Sequence, residues 1–143
     1  MSDLFDQGIE AIKNLCDPPR NQVTLGIDID GVCDEANSFF NPLSHIWPGK
    51  VVIISYRSDR KKAESDLDRL GIRYDELVLV NSFEAKAKEV SRLGVAVFFD
   101  DQPEMLKEMP STVSVMLVRN GGNFDFSSKK WMFSSKTAFL IDS

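Results

Sequence analysis

The sequence predicts a single α/β domain built on a parallel β-sheet with helices on both faces. The chain has 143 residues, of which 43% are hydrophobic and 27% are charged, and this length and composition suit one globular domain. Its short apolar runs are rich in Val and Ile and mostly do not alternate with polar residues, which is typical of strands buried on both faces. Five such runs stand out, at residues 23–27, 51–54, 77–80, 95–99 and 113–118.

The segments between these runs carry helix signals. Ser58 and Ser82 stand where a side chain would cap a helix N-terminus, and Pro103 suits a first helical turn. Gly71 and Gly94 suit the positions that follow a last turn. A strand-helix-strand order that repeats along the chain indicates parallel strands with crossover helices on both faces. The predicted helices span residues 35–47, 58–70, 82–94 and 103–109.

Two further segments flank this pattern. Residues 1–21 are predicted to form an N-terminal helix and linker, because apolar residues recur there at helical spacing before two prolines. Residues 22–118 form the predicted core. Residues 119–143 mix aromatic side chains with Ser and Lys, and we expect them to pack on that core as a C-terminal tail.

Composition excludes several classes of protein. The formal net charge of −5 argues against an extended nucleic-acid surface. Cys16, Cys33 and the single His45 are too few for a Cys/His zinc site or a disulfide scaffold. Two thiols in an acidic domain favour a reducing, cytoplasmic location. No apolar stretch is long enough to span a membrane.

Four carboxylates directly follow two of the apolar runs. Asp28 and Asp30 come after the first run, and Asp100 and Asp101 come after the fourth. Ligands of open α/β sheets bind outside the carboxyl ends of the strands, and carboxylates gathered there repel one another unless a cation lies among them. Oxygen ligands alone suit Mg²⁺, which we therefore expect as the cofactor.

A carboxylate beside Mg²⁺ suits phosphoryl transfer. It can act as a nucleophile and form an aspartyl-phosphate, provided that a metal, a cation for the phosphoryl oxygens, a hydrogen-bond donor and an acid stand nearby. The sequence offers a candidate for each: Asp101 to hold the metal, Lys86 as the cation, Ser55 as the hydrogen-bond donor and Asp30 as the acid.

These residues resemble the motifs of a known family. The order Asp28-x-Asp30-Gly31-Val32, Ser55, Lys86, Asp100-Asp101 is similar to the four motifs of the haloacid dehalogenase (HAD) superfamily of phosphohydrolases, over residues 22–118. The first motif looks most like the nucleotidase and sugar-phosphatase branches. The resemblance implies an HAD-like, Rossmann-like domain of strand order 3-2-1-4-5. It also implies a Mg²⁺-dependent phosphomonoester hydrolase, an HAD-type phosphatase.

The resemblance assigns catalytic roles to four residues. Asp28 would be the nucleophile, and Asp30 would protonate the leaving oxygen and then activate water. Ser55 would hydrogen-bond a phosphoryl oxygen. Lys86 would hold Asp28 and the phosphoryl charge, with Lys88 as the competing lysine.

The resemblance also implies a set of metal ligands. Asp28 would bind Mg²⁺ through its side chain, and Asp30 would bind it through its backbone carbonyl. Asp101 would be the direct ligand from the fourth motif, with Asp100 as the second choice.

The spacing between the motifs departs from the family pattern. One helix with its loops fills the gap from Asp30 to Ser55, and one helix and one strand fill the gap from Ser55 to Lys86, so no cap domain is expected. The phosphorylated substrate, either a small molecule or a bulky phosphoester, would then meet an open site that the tail or a second subunit of a homo-oligomer covers. The residues expected to contact substrate are Tyr56, Arg57 and Arg119.

Two alternatives have a different function. A receiver domain of a signalling pathway also uses aspartates, Mg²⁺, a hydroxyl and a lysine, but its phosphoacceptor follows the third strand, where this chain has Asn81. A catalytically weak or inactive module with the same fold would bind phosphate and act in regulation.

Overall fold

Five parallel strands lie at the centre of the computed structural model, which describes Gln7 and residues 23–132. Their order is β3-β2-β1-β4-β5, and every neighbouring pair is parallel. This confirms the predicted strand order. The strands are β1 (Thr24–Ile27), β2 (Val51–Tyr56), β3 (Glu76–Val80), β4 (Val95–Asp100) and β5 (Ser114–Leu117).

Four α-helices connect these strands. They are α1 (Asn37–Ile46), α2 (Arg60–Leu70), α3 (Phe83–Arg92) and α4 (Pro103–Leu106). Between β1 and β2 the described chain contains the short kinked helical segment Ile29–Cys33 and α1, and between β2 and β3 it contains α2, so neither connection holds a further domain.

The helix ends follow local side-chain chemistry. Ser82 caps α3 as predicted, because its Oγ accepts a hydrogen bond from the Ala85 amide at 3.0 Å. Helix α2 begins one residue later than a Ser58 cap would place it, because Asp59 takes that position and its Oδ1 accepts from the Lys62 amide at 3.0 Å. Gly71 ends α2 with a φ of 69°, a left-handed conformation that favours glycine.

Hydrophobic side chains cover both faces of the sheet. Along β2, Val51 and Ile53 belong to a cluster that also contains residues of α1 and α2. Val52 and Ile54 belong to a second cluster, with Val90 of α3. A strand with both faces buried explains why the apolar runs do not alternate with polar residues.

The described part of the C-terminal tail forms a small hairpin. Its strands β6 (Phe124–Asp125) and β7 (Lys130–Trp131) are antiparallel and form a separate two-stranded sheet. Apart from Gln7, the helix expected in residues 1–21 lies outside the described residues, as does the last part of the expected tail, residues 133–143. Over the described part of the chain, no helix is long and apolar enough to cross a membrane.

Candidate functional site

The carboxyl ends of β1 and β4 bring three aspartates together. Ile27 pairs with Phe99 across these strands, so the next residue on each strand, Asp28 and Asp100, lies at the same edge of the sheet. Asp101 follows immediately. Asp28, Asp100 and Asp101 are 4%, 0% and 8% exposed, and each offers a carboxylate oxygen within 4.8 Å of the others. We call these three residues the aspartate cluster.

A buried lysine reaches the aspartate cluster from α3. The Nζ atom of Lys86 lies 2.9 Å from Oδ2 of Asp28 and 2.7 Å from Oδ2 of Asp100. Lys86 has no exposed surface, whereas Lys88 is exposed on the same helix. The geometry therefore places Lys86, and not its competitor Lys88, beside the aspartates.

Burial and charge act against each other in this group. Burial alone would lower the pKa of Lys86, but the Asp28 and Asp100 carboxylates outweigh it, so the net shift is upward and the amine stays charged. Burial is also the main cause that raises the pKa of Asp100, with Lys86 opposing the shift and Asp28 adding to it. Asp28 and Asp100 share the ammonium of Lys86, so these three side chains carry a net charge of −1 when both carboxylates are ionised.

The loop Ile29–Cys33 holds the backbone of Asp28. Oδ1 of Asp28 accepts from the Ile29 amide at 2.7 Å. The thiol of Cys33 donates to the Asp28 carbonyl at 3.2 Å. Burial, followed by the nearby carboxylates, raises the pKa of Cys33, so this thiol stays protonated and able to donate. Its role is structural, as expected for a small packed side chain.

Gly31 and Asn120 surround the carboxylate of Asp101. Gly31 has a φ of 77°, and a Cβ built on it would lie 2.0 Å from Oδ2 of Asp101, so no other residue fits there without displacing the carboxylate. Nδ2 of Asn120 lies 3.2 Å from the same Oδ2 and 3.1 Å from the Gly31 carbonyl. Sequence reasoning did not select Asn120, whose only signal was its position after the fifth strand.

The carboxylate of Asp30 points elsewhere. Arg57 binds it in a bidentate pair, with Nε at 2.8 Å and Nη2 at 2.7 Å from its two oxygens, and also binds Asp66 at 2.7 Å. These ion pairs raise the pKa of Arg57. The side chain of Asp30 is therefore not part of the aspartate cluster, and the expected contact of its backbone carbonyl with a metal stays a prediction. Arg57 joins the Asp30 loop to α2, and its expected contact with substrate stays a prediction.

The other expected residues divide into two groups. Ser55 is 1% exposed and lies at the carboxyl end of β2, and among the described residues its Oγ has no hydrogen-bond partner. Tyr56 is half exposed and meets the ring of Phe83 edge-on at 6.3 Å. The guanidinium of Arg119 lies over the rings of Phe124 and Phe126 in the hairpin, at 4.9 and 5.1 Å.

A cavity of about 630 Å³ opens at the carboxyl ends of β2 and β3. This volume is within the range of about 300–1,000 Å³ that small-molecule pockets occupy. Apolar and polar groups both line the cavity, among them Tyr56, Arg57, Leu79, Asn81 and Ala85. It therefore suits an organic group that is partly apolar.

Comparisons with known proteins bear on the expected family. No protein-family model matches the chain, and no curated protein matches it. The fold is similar to a solved structure of a universal stress protein in complex with cAMP, with a TM-score of 0.45 and 8% sequence identity. The matched region covers 68% of this chain and 98% of the universal stress protein chain.

The comparisons do not find the expected family. The similar structure is of a universal stress protein and not of a haloacid dehalogenase phosphatase, and no family model matches. The predicted membership is withdrawn, together with the phosphatase activity, the aspartyl-phosphate on Asp28 and the alternative of an inactive member of that superfamily. The chemistry of the site follows from its own side chains: three buried carboxylates, one buried lysine and one buried hydroxyl.

Proposed function

We propose that this chain binds Mg²⁺ through Asp28, Asp100 and Asp101 and, through that cation, the phosphate group of a small phosphorylated molecule. The observation that carries the proposal is the aspartate cluster, whose oxygens lie within 4.8 Å of one another, with the Lys86 ammonium between Asp28 and Asp100. Buried carboxylates are normally paired or bound to a metal, and the one ammonium of Lys86 does not balance both Asp28 and Asp100.

The donor set favours Mg²⁺ over softer metals. All the side-chain donors are carboxylate oxygens, which suit Mg²⁺, Ca²⁺ and Mn²⁺ and not the metals that prefer sulfur or imidazole. Mg²⁺ usually takes one or two carboxylates and keeps further positions for water and phosphate. With Lys86 charged, a divalent cation would offset the negative charge that the ammonium leaves on Asp28 and Asp100.

The same charge count explains why the cation would come before the phosphate. Without Mg²⁺, a phosphate dianion would approach side chains with a net negative charge, and like charges repel strongly in a buried site. Once the cation is bound, its open positions attract the phosphate. The buried Ser55 hydroxyl, at the neighbouring strand end, is a candidate donor to a phosphate oxygen, and the cavity beside Tyr56 would take the organic group.

The cation is tested by calorimetry and thermal unfolding with Mg²⁺ alone. Mg²⁺ should raise the unfolding temperature, because it binds the assembled aspartates and not the unfolded chain. Asp28→Asn keeps the side-chain shape and removes one ligand charge, so the Mg²⁺ affinity should fall by about tenfold or more. Asp68→Asn makes the same change in net charge at an exposed position of α2 and should leave the affinity unchanged.

The phosphate is tested with inorganic phosphate as the probe. Binding should be measurable with Mg²⁺ and absent without it, and Ser55→Ala should weaken phosphate but not Mg²⁺. If Mg²⁺ binds equally well to wild type and to Asp28→Asn, the aspartate cluster is not the cation site. If phosphate binds without Mg²⁺, the cation-mediated arrangement is wrong.

A further inference from the structure

We propose that Asn120 and Asn123 are positioning residues of the cation site: they hold Asp101 in place from a hairpin that contributes no carboxylate to the aspartate cluster. The inference rests on the proposed Mg²⁺ site and adds to it a dependence on residues 120–132. Neither asparagine lies in the five-stranded sheet, yet both residues are buried, at 7% and 0% exposed.

Asn120 contacts the carboxylate itself. Its Nδ2 lies 3.2 Å from Oδ2 of Asp101 and 3.1 Å from the Gly31 carbonyl. Its Oδ1 accepts from the Gly122 amide at 2.8 Å, which orients the amide group with its NH₂ towards Asp101. Since an amide donor lowers the cost of a buried negative charge and restricts its rotation, Asn120 presents one face of this carboxylate to the cation.

Asn123 holds the backbone of the same residue. Its Nδ2 donates to the carbonyls of Asp101 and Val118, at 2.7 Å each. Its Oδ1 accepts from the Asn120 amide at 2.8 Å. Asn123 thus uses both donor hydrogens and its acceptor, and it joins the end of β4, the end of β5 and the start of the hairpin in one network.

The hairpin is built on this network. The Asn123 carbonyl accepts from the Met132 amide at 2.8 Å, and the Asn120 carbonyl accepts from the Phe124 amide at 3.1 Å. The ring of Phe124 lies 5.0 Å from that of Trp131, which is partly exposed at the outer strand. A change in the position or mobility of Asp101 should therefore alter the environment of the Trp131 ring.

This connection has a thermodynamic consequence. If the asparagines favour the arrangement of Asp101 that binds Mg²⁺, then Mg²⁺ must stabilise the asparagine network by the same free energy, because coupling between two sites is reciprocal. Cation binding should therefore reach the hairpin, although no carboxylate of the aspartate cluster lies in it. A hairpin that only covers the core would show no such response.

The experiment uses the two tryptophans of the chain. In a Trp47→Phe background, Trp131 is the one remaining indole, and its fluorescence is followed during a Mg²⁺ titration while calorimetry gives the affinity. We expect the Trp131 signal to change with the calorimetric midpoint. Asn120→Ala should lower the Mg²⁺ affinity by about 10–100-fold, the range for residues that orient a metal ligand. Asn41→Ala removes an amide in α1 that donates to the Leu70 carbonyl at 2.9 Å; it is the matched control and should stay within twofold of the parent.

The outcomes separate the two proposals. If the parent binds Mg²⁺ but Trp131 does not respond, or if folded Asn120→Ala binds Mg²⁺ as well as the parent, the positioning role is overturned and the cation site stands. If the parent binds no Mg²⁺, both proposals fail. Should Asn120→Ala or Asn123→Ala not fold, hydrogen exchange on the wild type decides: Mg²⁺ should slow exchange at the Phe124 and Met132 amides, and unchanged exchange overturns the inference.

Discussion

Replacing Lys86 with methionine should destabilise the protein strongly in the absence of Mg²⁺. The change keeps an unbranched side chain beside Phe98, whose ring centroid lies 5.5 Å from Nζ, but it removes the ammonium that contacts Asp28 and Asp100 at 2.9 and 2.7 Å. Removing one partner of a buried ion pair costs about 3–5 kcal/mol, because the remaining charge has lost its compensation. With two carboxylates left unpaired, we expect the upper part of that range.

The loss should be visible in both chemical and thermal unfolding. For a domain of this size, about 3–5 kcal/mol corresponds to a fall of about 10–17 °C in the unfolding temperature. Mg²⁺ should recover much of it, since Asp28 and Asp100 would then have lost the ammonium that lies between them. The stabilisation by saturating Mg²⁺ should therefore be larger in Lys86→Met than in wild type, where a concentration of 100 Kd would add about 2.7 kcal/mol.

The matched control is Lys88→Met on the same helix. Lys88 is exposed, so its replacement should change the free energy of unfolding by less than about 0.5 kcal/mol and leave the Mg²⁺ response unchanged. The reasoning is refuted if Lys86→Met and Lys88→Met have the same metal-free stability. It is also refuted if Mg²⁺ stabilises Lys86→Met less than wild type, because the charge count would then not govern the site.

Two further changes test the surroundings of the site. Gly31→Ala should reduce the Mg²⁺ affinity by at least about tenfold, because its Cβ would collide with Oδ2 of Asp101. The control is Gly94→Ala, where φ is 62° and a Cβ would meet no atom within 4 Å. This control should cost only about 1–2 kcal/mol of stability in urea unfolding and leave Mg²⁺ binding intact. Arg57→Lys should cost about 1 kcal/mol, because lysine cannot reproduce the bidentate pair with Asp30. A calorimetric loss of Mg²⁺ affinity in Arg57→Lys would contradict the separation of Asp30 from the aspartate cluster.

The strands and their polar ends could be predicted from sequence because buried parallel strands impose a local pattern. Each of the five strands overlaps an apolar run, and Asp28 and Asp100 stand where the runs at 23–27 and 95–99 end. The predicted helix ends differ from the observed ends by up to three residues. Asp59 caps α2 in place of Ser58, for example, because neighbouring polar residues compete for the same backbone amide and their sequence does not decide between them.

The direction of each side chain depended on contacts between distant segments. Sequence spacing grouped Asp30 with Asp28, but Arg57 lies on the neighbouring strand end and takes the Asp30 carboxylate in a bidentate pair. Lys86 and Lys88 look alike in sequence, and helix packing alone buries one and exposes the other.

Local pattern also had no means of finding the asparagine network. Asn120 and Asn123 belong to a polar turn like many others in sequence, and their side chains acquire a partner only when the chain beyond β5 returns to the end of β4. Hydrophobic periodicity is a local property that records which faces are buried, so the sequence alone was sufficient for the sheet and for the end of it where the carboxylates gather. Hydrogen bonds between residues 19 or more positions apart produce no periodic pattern in the sequence. The partners of each carboxylate were therefore visible only in the folded molecule.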